Sequence, residues 1–381
     1  MCNGHESRLK KVDQQYLPSL TINGRFLSQR LTGVQRYARE IVEAIDEILQ
    51  HDRQYSSLEA KIVAPNHRCQ DLNLGAINTL ITPGSGPLWD QFVLAHKAKG
   101  ILLSLCNQGP VFAANHILCI HDLNYLMIPD SYSHAFRAYY RLVQPLLARN
   151  AARVVTSSSF SASMLTNHGF CARDKITVIP NGHEHVRRWQ PLRSQFNSAN
   201  ANQRPFVFAL GSRARHKNID VLFSIAKELD LLGLDLLVAG GTDRLFSSVP
   251  STGIPDNVRM LGVVTDDDLA ALYKTAFCLA FPSFTEGFGL PTLEALALGC
   301  PVVASNAASL PEVCGDAALF ADPTSSQAWV DQIRRLRTEP GLAQSLRARG
   351  FKQAERFSWK KSAQLYLRLV ESIVQEMRQS G

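Results

Sequence analysis

FPSFTEGFGLPTLEALALGCPVVAS, residues 281–305, contains a strand signal, a loop, a helix signal and a second strand signal in one short stretch. The apolar run FCLAFPS ends at Ser283, and a loop with Glu286, Gly287 and Gly289 leads into a helix with Pro291 near its first turn. Proline is tolerated there because its missing N–H would be unpaired anyway. PVVAS then restarts a strand. Strand, helix and strand in close succession form the unit of a parallel α/β sheet. The loop also has chemistry. Glycines let backbone approach a ligand closely, and the N–H groups and dipole of a helix start attract an anion. Glu286 and Glu294 flank that start. A carboxylate is a pure acceptor that can take both hydroxyls of a diol, so two of them beside an anion site suit a sugar nucleotide. A plainer reading makes Glu294 an N-terminal helix charge favoured by the dipole.

The same alternation extends in both directions. SLTING (19–24), AKIVAP (60–65), HILCIHD (116–122), RVVTSSS (153–159) and KITVIPNG (175–182) read as strands of a first half. The loop LTGVQR (31–36) opens a helix on which Val34, Tyr37, Ala38, Ile41, Val42, Ile45, Ile48 and Leu49 recur at three- and four-residue spacing. Residues from about 190 to 204 carry neither period nor core and read as a linker. PFVFALGS (205–212), LDLLVAGG (234–241) and VRMLG (258–262) then supply strands of a second half. A last amphipathic helix runs from Phe357 to the end. Two doubly wound α/β domains facing a cleft is the expected architecture.

Composition agrees with that scale and excludes other classes. The chain has 381 residues, 45% apolar and 19% charged, which is enough for two domains with separate cores. Apolar stretches such as LDLLVA (234–239) are interrupted well before the ~18 residues a membrane span requires. The polar start MCNGHESRLKK lacks the apolar core of a signal peptide, so a cytoplasmic location is expected. Eight cysteines are scattered with no CxxC pair, which reads as reduced thiols. The net charge of +7 fits an anionic partner. No HExxH, P-loop, GxSxG or Cys/His metal spacing occurs.

Ligands of open α/β sheets bind at the carboxyl ends of the strands, which singles out three further loops. LGSRARHKN (210–218) offers Arg213, Arg215 and Lys217 to a diphosphate, ahead of a helix that Asn218 would cap. The bland alternative is a solvated basic loop. In CIHDLNYL (119–126), His121 would donate to a substrate hydroxyl, or be a satisfied structural histidine, while Asp122 would cap the next turn. Gly33, ahead of the first helix, is a weak signal because GxGxxG spacing is missing.

At these residues the chain resembles the retaining GT-B glycosyltransferases of family four. The resemblance rests on Glu286 and Glu294 with seven residues between them, and on GVQRYARE, HDL (121–123), VIPNG (178–182), HKN (216–218), SLPEVCGDAALFADP (309–323) and FSW (357–359), in the family's order. It implies two Rossmann-like domains. The N-terminal, acceptor-side domain would span 1–188 together with a return helix over 359–381, and the donor-binding domain 205–358. It further implies that Glu294 holds the ribose hydroxyls and Glu286 those of the transferred sugar. Lys217, with an Arg nearby, would stabilise the leaving diphosphate, helped by backbone N–H groups at Phe288, Gly289 and Leu290 beside Gly287. Gly33 would line the phosphate side, and His121 would touch the donor sugar. Many relatives carry an Arg where this chain has Ser212; Arg213, Arg215 or His216 would meet the phosphate charge instead, with Arg215 preferred.

The resemblance leans toward bacterial mannosyl- and rhamnosyltransferases of surface-polysaccharide assembly. The expected reaction moves a hexose, mannose from GDP-mannose by preference, to a glycan or lipid-linked acceptor, with retention and without metal or other cofactor. An epimerase or phosphorylase on the same scaffold is the alternative. A nucleic-acid binder has little support, because no basic run with interleaved aromatics occurs. FRAYYRLVQPLLARNAAR (136–153) mixes Arg137, Arg141, Arg149 and Arg153 with apolar and aromatic residues. It reads either as a peripheral contact with an anionic membrane or as a buried helix with exposed arginines.

Overall fold

The computed structural model describes residues 19–67, 71–196, 204–211, 214–240 and 255–380. Among these residues the chain forms two parallel sheets. The first contains β1 (Leu20–Asn23), β2 (Ala60–Pro65), β3 (Asn78–Thr82), β4 (Ile101–Ser104), β5 (His116–Cys119), β6 (Arg153–Thr156) and β7 (Ile176–Val178). Their order is β3-β2-β1-β4-β5-β6-β7. The second contains β8 (Phe206–Leu210), β9 (Asp235–Ala239), β10 (Val258–Gly262), β11 (Cys278–Phe281), β12 (Val302–Ser305) and β13 (Ala318–Ala321), in the order β10-β9-β8-β11-β12-β13. In each sheet the order reverses beside its first strand, between β1 and β4 and between β8 and β11. Crevices for ligands open at such switch points.

Sequence pattern explains most of this. β1, β4, β5, β11 and β12 are buried along their whole length, as strands covered on both faces must be. β3, β4 and β13 are strands that the apolar pattern did not single out. NTLIT is an edge strand exposed at four of its five positions, ILLS is only four residues long, and ALFA is half alanine, a weak strand former. The helix Gly33–His51 buries Tyr37, Ala38, Ile41, Val42, Ile45 and Ile48 against the first sheet, the stripe its spacing foretold.

The terminal helix Trp359–Ser380 returns to the first half of the molecule. Its Tyr366, Leu367, Val370, Ile373 and Val374 share one apolar core with the helix Gly33–His51 and β1. The Tyr37 and Tyr366 hydroxyls meet at 2.7 Å inside that core. Part of the expected linker is ordered. Ser194 Oγ donates to Asp268 Oδ1 at 2.7 Å, and the Gln190 N–H donates to Asp267 at 2.6 Å, which ties the segment to the helix Asp266–Thr275.

Asn218 closes the tight turn Arg215–Lys217 rather than capping the helix that follows it. It adopts a left-handed conformation (φ 51°), the next helix starts at Asp220, and its side-chain amide donates to the carbonyls of Pro282 and Pro323 at 3.1 and 2.7 Å. It thus pins the basic loop to the end of β11. The cysteines within the described residues are free thiols. No helix among those residues is long and apolar enough to cross a membrane.

Candidate active site

The carboxyl ends of the two sheets face one another across a cavity of about 490 Å³. From the second sheet it is lined by His216, Lys217, Glu286 and the run Gly287–Pro291, and from the first by Thr32, Gly33, Val34, His121, Asp122, Asn124, Tyr132, Ser157 and Asn181. Residues from both halves of the sequence therefore share one site.

Lys217 Nζ donates to Glu286 Oε1 at 2.7 Å and also lies 5.5 Å from the centre of the Phe281 ring. Lys217 is half-buried and Glu286 buried, which strengthens the field of the pair relative to one in bulk water. Ser309 Oγ donates to the Glu286 carbonyl at 2.9 Å and fixes the loop from behind. Gly289 has φ 94°, a conformation that favours glycine, and it turns the chain into the helix Leu290–Ala297. The Phe288 side chain packs with Leu293, Val313 and Ala354, and that of Leu290 joins the core of the first sheet. Both residues consequently offer backbone to the cavity.

The first sheet contributes mostly neutral groups. His121 Nε2 donates to the Leu105 carbonyl at 2.8 Å, and its ring meets Tyr37 edge-on at 4.7 Å. A carbonyl only accepts, so this proton is committed and Nδ1 is the acceptor of the neutral ring. In the neutral ring Nδ1 would accept from a hydroxyl; in the protonated ring, which burial opposes but Cys119 and the Leu105 carbonyl favour, it would donate as expected. Asp122 Oδ1 accepts the Asn124 N–H at 2.9 Å, as a turn-capping residue does. Burial pushes its carboxyl up despite that hydrogen bond. A β-carbon on Gly33 would meet nothing within 4 Å, so this position opens directly onto the cavity.

Two expected residues lie outside the cavity lining. Arg215 is 72% exposed and pairs with Asp130 at 3.0 Å, outside the cavity lining. It begins the tight turn Arg215–Lys217, whose roughly three-residue period sends Arg215 and Lys217 in different directions. His216 takes the place beside Lys217, and burial, assisted by Lys217, lowers its pKa to about 4. Glu294 is buried in the body of its helix, outside the cavity lining, so the reading as a first-turn charge does not hold. Ser212 lies outside the described residues, as does Arg213.

The two halves are held together by hydrogen bonds around this cavity. Ser158 and Ser157 Oγ donate to the Gly287 carbonyl at 2.6 and 3.2 Å. Ser161 Oγ reaches both Gly287 O and His121 O. The Glu312 carboxylate accepts the Ser159 N–H at 2.9 Å and the Phe160 N–H at 3.3 Å, at the start of the helix Ser159–Asn167. Arg36 forms a two-pronged pair with Asp266. Asn181 was not singled out as a site residue, although VIPNG was noticed. It is buried at the cavity wall, and its Oδ1 has no partner among the described residues.

The family model described as "Glycosyl transferases group 1" matches residues 193–353, the half that carries Lys217, Glu286 and Glu294. The chain is also 48% identical over 269 residues to O-antigen chain mannosyltransferase B of Escherichia coli, covering 66% of this chain and 70% of that protein. This chain belongs to the group 1 glycosyltransferases. A second relative of this glycosyltransferase is O-antigen chain mannosyltransferase RfbU of Salmonella typhimurium, 27% identical over 229 residues, which are 59% of this chain and 62% of the relative. Among solved structures, the sucrose-phosphate synthase of Thermosynechococcus elongatus superposes with a TM-score of 0.73 at 20% identity, covering 94% of this chain and all of that one. WaaG, a glycosyltransferase involved in lipopolysaccharide biosynthesis, superposes at 0.69 with 14% identity, covering 92% of this chain and 99% of its own. The glycosyltransferase thus has the GT-B fold, two Rossmann-like domains around a central cleft.

Proposed function

We propose that this glycosyltransferase moves mannose from GDP-mannose to a glycan or lipid-linked acceptor in surface-polysaccharide assembly, with retention of configuration and without a metal ion. The observation that carries the reading is the Lys217–Glu286 pair at 2.7 Å beside the helix start Gly287–Leu290, inside a cleft closed by both domains. Glycosyl transfer develops positive charge on the sugar and negative charge on the departing diphosphate. Lys217 and the backbone N–H groups of the helix start would meet the diphosphate charge, a stabilisation that is stronger in the transition state than in the ground state. Glu286 would hold sugar hydroxyls, and Glu294 the ribose hydroxyls. The mannosyl choice rests on the names of the two O-antigen relatives. The closing step would be front-face attack, with the leaving phosphate taking the acceptor's proton. No carboxylate is assigned as nucleophile.

A thermal-shift series with UDP, GDP, ADP, TDP and their sugar conjugates, in the presence of a chelator, tests the donor. A ligand at 100 times its Kd adds about 2.7 kcal/mol to stability. A shift confined to GDP and GDP-mannose is the expected result. A shift with none of them, or only when a divalent metal is supplied, overturns the reading.

The acceptor side of the proposal includes a membrane surface. Leu142, Leu146 and Asn150 follow one another at four-residue spacing on the helix His134–Asn150 and share a face. Asn150 Nδ2 donates to the Val111 carbonyl at 3.1 Å, and the Val111 N–H donates to Gln91 Oε1 at 2.9 Å. These bonds bring the helix face next to Phe112 and Phe92, which are 87% and 70% exposed. Arg141 and Arg149 are exposed on the same helix. Tyr140 and Leu147 are core residues instead, and Arg153 is paired with Glu376. Exposed aromatic and aliphatic groups flanked by arginines suit an anionic lipid surface. Salt-dependent pelleting with phosphatidylglycerol vesicles, weakened by Phe112→Ser, is expected, and its absence would refute the contact.

A further inference from the structure

Glu294 is held by its neighbours on both oxygens. Oε1 lies 3.0 Å from His185 Nε2, and Oε2 accepts from the Tyr273 hydroxyl at 3.4 Å. On the far side of the imidazole, the indole N–H of Trp359 points at His185 Nδ1 from 3.0 Å. An indole N–H only donates. His185 Nδ1 is therefore the acceptor, and the ring proton sits on Nε2, aimed at the carboxylate. The result is a directed chain, Trp359 to His185 to Glu294, with every member buried.

Three parts of the molecule meet in this chain. Trp359 is the first residue of the terminal helix, which packs on the first domain. His185 lies in the turn Glu184–Arg188, where the polypeptide leaves the first sheet. Glu294 belongs to the helix at the cleft end of the second sheet. The backbone N–H of Trp359 donates to Glu184 Oε2 at 2.9 Å, which anchors the start of the helix that carries the indole. The His185 ring is further fixed edge-on against Trp189 at 5.3 Å.

An ionised carboxylate has about four acceptor directions. His185 and Tyr273 occupy one on each oxygen and leave one on each. Two remaining acceptors, one per oxygen and held in a fixed plane, match the two donors of a vicinal diol. Without these partners the side chain would have to give up rotamer freedom on binding.

We propose that His185 is a positioning residue that aims Glu294 at the ribose diol of the donor, and that Trp359 of the terminal helix sets the tautomer through which it does so. This rests on the reading of Glu294 as the ribose acceptor. His185 has no contact with the transferred sugar in this scheme, and it acts through Glu294 alone.

The test is a ratio measured by titration calorimetry on the full chain: the Kd of a 2′,3′-dideoxynucleoside diphosphate divided by that of the ribonucleotide, for GDP, UDP and ADP. A ratio of about ten or more is expected for the nucleotide that binds, because each lost hydroxyl was bonded to a charged group. Glu294→Gln tests the underlying reading and should bring the ratio down toward one. His185→Phe should lower the ratio at least threefold while leaving the affinity for the dideoxy form within about twofold. His185→Gln, whose amide reaches the place of Nε2, should restore most of it. A purely structural contact would weaken both nucleotides together and leave the ratio alone. Trp359→Phe keeps the apolar ring, loses the N–H, and should lower the ratio by a smaller factor; it decides the matter if His185→Phe does not fold. A wild-type ratio in the folded His185 and Trp359 variants, with a collapsed ratio in Glu294→Gln, overturns the role of His185. An unchanged ratio in Glu294→Gln, or no binding by any of the three nucleotides, overturns the ribose reading itself.

Discussion

The two rims of the cleft are built from the same kind of strand-to-helix loop, yet they differ in chemistry. On the second sheet the rim is charged: Lys217 and Glu286 form an ion pair, and the helix start at Leu290 faces the same space. On the first sheet it is nearly neutral: Gly33, His121, Ser157 and Asn181 offer backbone, imidazole, hydroxyl and amide groups, with Asp122 as the single acid of that rim among the described residues. A diphosphate leaving group needs fixed positive potential, and only the second rim supplies it. The first rim is suited to placing a second, neutral reactant. In the proposed reaction, charge stabilisation falls to one half and positioning to the other.

Removing the cation strikes this contrast hardest. Lys217→Ala should lower turnover by about 10²–10³-fold, the range for deleting one preorganised oxyanion-stabilising donor. Its melting temperature should stay close to that of the wild type, since the side chain is half-buried and has one ionic partner. A wild-type-like rate in product assays would show that the charged rim is not where the leaving group sits.

A pair of glycine substitutions comes next. A β-carbon on Gly287 would overlap the His121 carbonyl across the cleft, whereas one on Gly33 has open space. Gly287→Ala should therefore block closure and cut kcat/KM by about tenfold or more, since misplacement of even ~1 Å is costly. Gly33→Ala should fold normally and mainly weaken donor binding. Equal, small effects on kinetics in both variants would argue against the closed arrangement as the working one. A smaller change, about threefold to tenfold in KM, is expected from Glu312→Gln, which weakens charge-assisted bonds to Ser159 and Phe160.

The smallest effect concerns pH. The folded-state pKa of His216 is about 4, below its ordinary 6.5, so between these values the unfolded chain binds more protons. This contribution to stability is complete above about pH 6.5 and is lost as the pH falls toward 4. His116, lowered to about 3 by burial, acts in the same direction. His216→Gln should flatten the fall in melting temperature between pH 6.5 and 4 without abolishing it. An unchanged slope would mean that His216 is not desolvated at this interface.

Much of this was legible in the linear sequence, because the relevant spacing is local. Apolar alternation located AKIVAP and VRMLG at their observed boundaries, and the stretch from Phe281 to Ser305 placed Glu286 and the glycines in a loop before a helix. Strands without an apolar signature escaped: Asn78–Thr82 is exposed, and Ala318–Ala321 is short and rich in alanine. Arg215 points away from the cavity, and composition gives a loop its charge but not the direction of each side chain. In a tight turn two residues' separation is enough to send one arginine to Asp130 and the neighbouring lysine to the cavity.

Periodicity, turn chemistry and short motifs by themselves determined that this chain forms two α/β domains and that Lys217, Glu286 and the glycine-rich helix start sit on loops at the carboxyl ends of strands, where they line one cavity. These are properties of neighbours in sequence. The tertiary structure decided which groups meet across the cleft. It committed the Nε2 proton of His121 to the Leu105 carbonyl, tied Gly287 to three serines of the other domain, and joined Trp359, His185 and Glu294 through bonds spanning 174 and 109 residues. Hydrogen bonds depend on distance and direction in space, and residues so far apart along the chain acquire both only when the two sheets close on one another.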